Sequence, residues 1–386
     1  LLLLRAIGAV IRRIARKPDP RVRRVLVIKP DHLGDVLLLT PALRLLREQL
    51  PELQITLLIG PWSQVAVAHN PDIDAVQTCP FPGFTRAAKP GLLQPYQLLL
   101  KLALLLRAGR YDAAVIARDD HWWGALLAAL AGIPRRIGFA VPETAPLLTI
   151  ALPHSFNTHV AAQNIQLVAA LTGRAPTRQP SMVAPIGAQE RAWANDWLAA
   201  QPITEKTPLV ALHPGSGGPA KLWVAARWTQ IIAALQERGC TVVLTGGPGE
   251  HDLITAITQA MPKPPLTLVG IATIGQLAAV YARCSLVLGV DSGPLHLAVA
   301  AGVPTLVLFG PGDDRRFGPW GDPQRQVVLR SGLWCSPCGV LDACPRGTAP
   351  SECMTLLTTT HVLAAIDQLL GRTVSSNHTT PPLTIG

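Results

Sequence analysis

Two α/β domains, each a doubly wound parallel sheet with helices on both faces, are the architecture this chain predicts. Three observations carry that expectation. Short β-branched apolar runs alternate with segments of helical period, the pattern of a parallel sheet crossed over by helices. The alternation blurs once, in "GRAPTRQPSMVAPIG" (173–187), where three prolines interrupt any period, and then restarts. The length, 386 residues, suits two domains of roughly 100–200 residues each. The expected division is a basic amphipathic extension (1–22), an N-terminal domain (23–185), a C-terminal domain (186–371) and a disordered tail (372–386).

In the first half "RRVLVIK" (23–29) reads as a buried strand, ending in "PDHLGD" and followed by the helical segment "VLLLTPALRLLREQL". "LQITLLIG" is a second strand. The apolar run from Leu92 to Leu106, broken by Lys101, is shorter than the ~18 residues of a membrane span and predicts a buried helix. "YDAAVIAR" (111–118) is a strand, "WWGALLAALAG" a helix of small residues, and "RRIGF" (135–139) a short strand. In the second half "PLVALHPG", "CTVVLTGG", "LTLVG", "LVLGVD" and "TLVLFG" are strands. Helices are expected between them at 225–238, 250–260, 273–283 and 294–301, with a last one at 359–371. Ligands of such sheets bind at the carboxyl ends of the strands, and two such edges facing each other predict a cleft between the domains.

Hydrophobic residues make up 49% of the chain and charged residues 15%, enough to fill two cores. Most of the formal charge of +10 sits in the first 24 residues, where eight basic residues face Asp19 alone. The remaining body is only mildly basic, which argues against a nucleic-acid partner. In "LLLLRAIGAVIRRIARK" apolar residues recur at helical spacing with arginines mostly opposite, the pattern of a helix on an anionic membrane surface. Its charge follows the apolar run, the reverse of a signal peptide. The expected location is cytoplasmic, peripheral on the inner face of the cell membrane, with residues 1–17 as the contact; a solvated helix packing on its own domain is the plainer alternative.

Three loops follow strands at their carboxyl ends. In "KPDHLGDV" (29–36) Gly34 permits a tight turn and Asp35 opens a helix. Asp35 is either an N-cap or a carboxylate able to accept a proton. In "HPGSGGPAKLW" (213–223) the amides after Gly215 and Ser216 can converge on an anion, and Lys221 adds a mobile positive charge. Neither the Walker ending nor G-x-G-x-x-G is present. In "GVDSGPLHLAVAAG" (289–302) Asp291 or Ser292 can cap a helix whose first turn takes Pro294. Ser292, Gly293 and their amides make a second anion site beside His296, which the alternative reading leaves as a partly exposed histidine on a capped helix. Late in the chain Cys335, Cys338, Cys344 and Cys353 are spaced C-x2-C-x5-C-x8-C, which suits a structural zinc, a redox-labile loop or simply buried thiols.

Together the loops resemble glycosyltransferase family 9, the bacterial heptosyltransferases of lipopolysaccharide core assembly. The resemblance rests on Gly34–Asp35, on "GPAKLW" in the form nearest the heptosyltransferase II branch, and on "DSGPLHLAVAAGVPTLVLFGP" in the same order over residues 23–370. It implies a GT-B fold, two Rossmann-like domains facing across a cleft, and inverting, metal-independent transfer from a nucleotide-diphosphate sugar. ADP-heptose is the implied donor, a cell-envelope glycan or glycolipid hydroxyl the implied acceptor, and no cofactor is implied. By motif, Asp35 would be the general base and Lys221 would contact the diphosphate. Ser292, Gly293 and His296 would sit by the donor phosphates, with Asp291 shaping their loop. "TGGPGEHD" (245–252) would place Glu250 and Asp252 near the nucleotide ribose. No acceptor motif is recognisable in "PFPGFTRAAKPGLLQ" (80–94). A nucleotide-sugar epimerase and a non-catalytic nucleotide-sugar binding protein are the alternatives; a nicotinamide enzyme lacks its glycine fingerprint.

Overall fold

The computed structural model describes residues 4, 5, 8, 19–85, 91, 93–204 and 207–371. Most of the basic extension, including all of 9–18, and the tail 372–386 lie outside the described residues. The chain divides into two compact units, Leu1–Ser181 and Met182–Gly386, and the division falls inside the proline-rich stretch.

The first unit runs β1 (Arg24–Lys29), α1 (Leu33–Leu37), α2 (Thr40–Gln49), β2 (Gln54–Ile59), β3 (Ala75–Thr78) and α3 (Gln94–Ala108), then β4 (Ala113–Ile116), α4 (Trp122–Leu130), β5 (Arg135–Phe139), β6 (Ile150–Leu152) and α5 (Val160–Thr172). Its strands are all parallel, in the order β3-β2-β1-β4-β5-β6. β1 and β4 lie inside the sheet and are buried on both faces, which is why they read as unbroken apolar runs. The expected first helix is two. Pro41 has no N–H to donate to the Leu37 carbonyl, and the Thr40 hydroxyl does so instead at 2.7 Å.

The run around Leu92 to Leu106 is not a buried helix. Leu99, Ala103 and Leu106 of α3 enter the core, whereas Leu100 and Leu104 on its other side are 58% and 71% exposed. The apolar residues go all round this helix, and the unit covers only one side of it.

The second unit runs α6 (Ala188–Ala199), β7 (Leu209–His213), α7 (Ala225–Glu237), β8 (Thr241–Leu244), α8 (His251–Thr258), β9 (Leu266–Thr267) and α9 (Ile274–Tyr281). It continues through β10 (Leu286–Val290), α10 (Gly293–Ala300), β11 (Thr305–Phe309), α11 (Asp314–Phe317), β12 (Gln326–Arg330), α12 (Glu352–Thr355) and α13 (Thr359–Leu369). The sheet is again parallel, with order β12-β11-β10-β7-β8-β9. Counted from its own first strand this is the arrangement of the first unit, read from the other edge. Both units therefore have the 3-2-1-4-5-6 strand order of a dinucleotide-binding sheet. At Gly289 of β10 a Cβ would stand 2.6 Å from the His213 carbonyl oxygen and 2.4 Å from Leu295, so only glycine lets α10 pack this closely against β7 and β10.

Candidate functional site

In a sheet of this order the strand connections reverse direction between the first and fourth strands, and the crevice there is the expected ligand site. In the first unit that point lies between β1 and β4, which pair in parallel from Val25 opposite Ala113 to Ile28 opposite Ile116. The loop after β1 carries Asp35, and the loop after β4 carries Arg118 and His121.

Asp35 is not the N-cap of its helix. His32 occupies that place, and Asp35 sits half-buried in the first turn of α1. The cations nearby are committed elsewhere. Lys29, 3% exposed, donates to the Ala117 carbonyl at 2.9 Å and pairs with Asp31 at 3.0 Å. Arg118 pairs with Asp31 and, through Nε, with Asp120 at 2.5 Å. Burial opposes ionisation of Asp31, but Lys29 and Arg118 hold its carboxyl below the usual carboxylate range. For Asp35 burial and then the Asp31 charge push the other way, and Lys29 and Arg118 offset them only in part, so its pKa is raised to about 6. Two neighbouring carboxylates are thus separated in acidity, one ionised by its ion pairs and the other poised near neutrality.

His121 completes this end of the sheet. It is the N-cap of α4, 4% exposed, with its ring edge-on to Phe81 at 5.2 Å and to Phe84 at 5.6 Å. Neither ring nitrogen has a hydrogen-bond partner among the described residues, and burial lowers its pKa to about 4. Arg118 lies over the Phe84 ring at 5.0 Å, and Trp62 donates to the Asp31 carbonyl at 3.1 Å. Sequence reasoning missed Lys29, Asp31, Arg118 and His121. The local signal for Arg118 and His121 is "RDDH" (118–121), a charged run directly after a buried strand, and Lys29 and Asp31 stand in the same loop as Asp35.

The second unit repeats the arrangement between β7 and β10, where Gly289 lies opposite His213. Here the structure gathers most of the expected residues. Lys221, at the end of a short 3-10 turn (Pro219–Lys221), pairs through Nζ with Asp291 at 2.7 Å. It is a held cation, 16% exposed, rather than a mobile one. Ser216 donates through Oγ to the Asp291 carbonyl at 3.2 Å, which ties the loop after β7 to the loop after β10. Ser292 is the N-cap of α10, but its hydroxyl makes no capping bond and is buried without a hydrogen-bond partner among the described residues. Gly293 begins the helix, and His296 is buried at 8% exposure, not partly exposed. Asp291, Ser292 and His296 line a small cavity of about 10 Å³ with Leu295, Phe309 and Pro319, about the volume one water molecule needs.

Glu250 closes over the glycines. Its carboxylate accepts from the Gly247 N–H at 2.6 Å, and a Cβ on Gly215 would lie 1.6 Å from Oε1. Asp252 is exposed in the first turn of α8 and, among the described residues, shares none of these contacts. Beneath the loop His213 is buried, bonded to Thr245 at 3.0 Å and lowered to about 4 by burial.

The four late cysteines are free thiols along one loop and α12. Burial and then the other three sulfurs raise the Cys353 pKa. Cys338 is exposed while Cys353 is buried, and among the described residues no three metal-ligating side chains are gathered as a zinc site requires. The loop meets the glycine segment instead: the Ala220 N–H donates to the Leu341 carbonyl at 3.0 Å.

Each unit is a six-stranded parallel sheet with charged residues gathered at its switch point, a carboxylate of raised pKa in one and a cation-and-amide loop in the other. The chain belongs to glycosyltransferase family 9 (heptosyltransferase), whose profile matches residues 99–344, and it is a glycosyltransferase. It is 26% identical over 345 residues to lipopolysaccharide heptosyltransferase 3 of Escherichia coli, covering 87% of this chain and 96% of that protein. Its fold matches a glycosyl transferase family 9 structure from Veillonella parvula DSM 2008 with a TM-score of 0.76 and 25% identity, over 92% of this chain and 99% of that one. It matches E. coli ADP-heptose lps heptosyltransferase II with a TM-score of 0.70 and 22% identity, over 90% and 98%.

Proposed function

We propose that this enzyme transfers a heptose, or a related sugar, from a nucleotide-diphosphate donor to a hydroxyl of a cell-envelope glycan or glycolipid, with inversion and without a metal. ADP-heptose, implied by the motif resemblance, is the specific donor, and lipopolysaccharide is the acceptor that the relatives' names suggest. The observation that carries the reading is Asp35, its pKa raised to about 6 beside the ion-paired Asp31 at one switch point, combined with the Lys221–Asp291 loop at the other.

Asp35 takes the proton of the acceptor hydroxyl as its oxygen attacks the anomeric carbon. The bond from that carbon to the diphosphate breaks on the opposite face, and the electron pair leaves on the phosphate oxygen. Lys221 and the amides around Ser216 and at the start of α10 meet the charge that develops there. An ammonium has three N–H donors, so Lys221 can keep Asp291 and still reach phosphate. Glu250, folded over Gly215, accepts a ribose hydroxyl of the nucleotide. The work is done at the inner face of the cell membrane, where residues 1–17 add a basic anchor.

A thermal-shift panel of ADP-, GDP- and UDP-sugars tests the donor. A ligand of the native state raises apparent stability by RT ln(1 + [L]/Kd), so ADP-heptose should raise the melting temperature and the others should not. A shift with UDP-sugars alone would reject the donor assignment. Turnover of donor without any acceptor would favour an epimerase.

A further inference from the structure

We propose that the outward face of α3 is a docking surface for an anionic lipid bilayer. Leu93, Leu100 and Leu104 lie along one line of this helix at 71%, 58% and 71% exposure, flanked by Tyr96 and Leu105 at 54% and 61%. Large exposed side chains grouped on one element mark an interaction surface, unlike single ones scattered over a protein. The helix is 15 residues long, about 22 Å. No helix among the described residues is long and apolar enough to cross a membrane, so α3 would lie along the surface.

Charge selects the occupant. Lys101 and Arg107 are exposed on the same helix, which carries no acidic residue. Under two-fold symmetry a second copy would bring this positive face against itself. The described residues of the chain's start do not cover the face: Leu4 packs against the cluster that holds Leu99, Ala103 and Leu106, Gly8 is buried, and Leu93, Leu100 and Leu104 remain exposed. An anionic headgroup layer is complementary to both features: it accepts the leucines at the acyl boundary, the tyrosine at headgroup level, and the lysine and arginine heads in the phosphate plane. The docking face stands independently of the reaction assigned to the enzyme.

The test is co-sedimentation of the full chain with vesicles of phosphatidylglycerol and phosphatidylethanolamine, and with vesicles of phosphatidylcholine alone. The wild-type chain should bind the anionic vesicles, less so as salt rises, and leave the zwitterionic ones in solution. Leu100→Ser with Leu104→Ser should weaken binding at least about tenfold. Lys101→Glu with Arg107→Glu should weaken it and flatten its salt dependence. These side chains are exposed, so melting and transfer to a soluble acceptor should not change. Vesicle binding equal to wild type in both variants would overturn the proposal, as would a wild-type chain that binds no anionic vesicle. A dimer in light scattering that dissociates with the serine substitutions would assign the face to a second copy. Loss of all binding on deleting residues 1–18, with the α3 variants unaffected, would assign it to the tail.

Discussion

Lys221→Ala separates a cation that meets the donor from one that only neutralises its neighbour. In the structure Lys221 Nζ is 2.7 Å from Asp291, and both side chains are largely buried. Removing the lysine does two things. It takes away a positive charge from the developing phosphate charge, a loss of about 2.7–4 kcal/mol in the transition state for one such contact. It also leaves the Asp291 carboxylate unpaired, where it repels a diphosphate. The expected fall in kcat/KM is therefore at least about 10²–10³. Breaking a fully buried ion pair costs about 3–5 kcal/mol of stability, and this pair, slightly exposed, should cost less. Asp291→Asn is the control: it also breaks the pair but keeps the cation. Steady-state kinetics, donor affinity by calorimetry and melting curves should be measured for both. Lys221→Ala should lose far more transfer than Asp291→Asn at comparable stability. Equal losses in the two variants, or turnover by Lys221→Ala within about threefold of wild type, would refute a donor-binding lysine and leave it as Asp291's partner.

Since Asp35 must be ionised to accept a proton and its pKa is raised to about 6, kcat/KM should rise as pH climbs through about 6 and level off above it. Asp31→Asn removes a negative neighbour and releases Lys29 and Arg118, so the limb should move to lower pH; an unmoved limb would disconnect Asp35 from the profile. A raised carboxyl contributes stability that is present below its unfolded pKa and lost as pH rises through about 6. Asp35→Asn should therefore melt like wild type below about pH 4 and higher than wild type above pH 6. Gly289→Ala should lower the melting temperature, because its Cβ would press on the His213 carbonyl and Leu295; overpacking of this kind costs about 1–3 kcal/mol, and an unchanged melt would show that α10 can shift.

The buried strands β1, β7, β10 and β11 were legible because strands covered on both faces are continuous apolar runs with loop residues at their ends. β3, β6 and β12 were not, since "AVQT", "IAL" and "QVVLR" are short segments at the sheet edges with no decisive pattern of their own. At α3 an all-round apolar helix was read as buried, but period alone does not say how many sides the domain covers. In the site, residues standing beside glycines were readable: Ser216, Lys221, Asp291 and Ser292 fall where the loops suggested. The Lys29–Asp31–Arg118 network was not, because Arg118 reaches the Lys29–Asp31 pair only when β4 pairs beside β1, 88 residues away in sequence for the Lys29–Ala117 bond. His121 was invisible for the same reason, and so was the acidity of Asp35, which is set by burial and by charges across that pairing.

The most direct measurement of the central claim is transfer by Asp35→Asn from donor to acceptor at pH 7.5, read beside donor affinity and the melting curve of the same sample. Asparagine fills the same space in the first turn of α1 but cannot take up the acceptor's proton. Loss of a general base typically costs ~10²–10⁴ in rate. Transfer should fall at least about a hundredfold, with donor binding unchanged and a melting temperature equal to wild type or higher. Near-normal transfer by a well-folded Asp35→Asn enzyme would contradict it and remove Asp35 as the base.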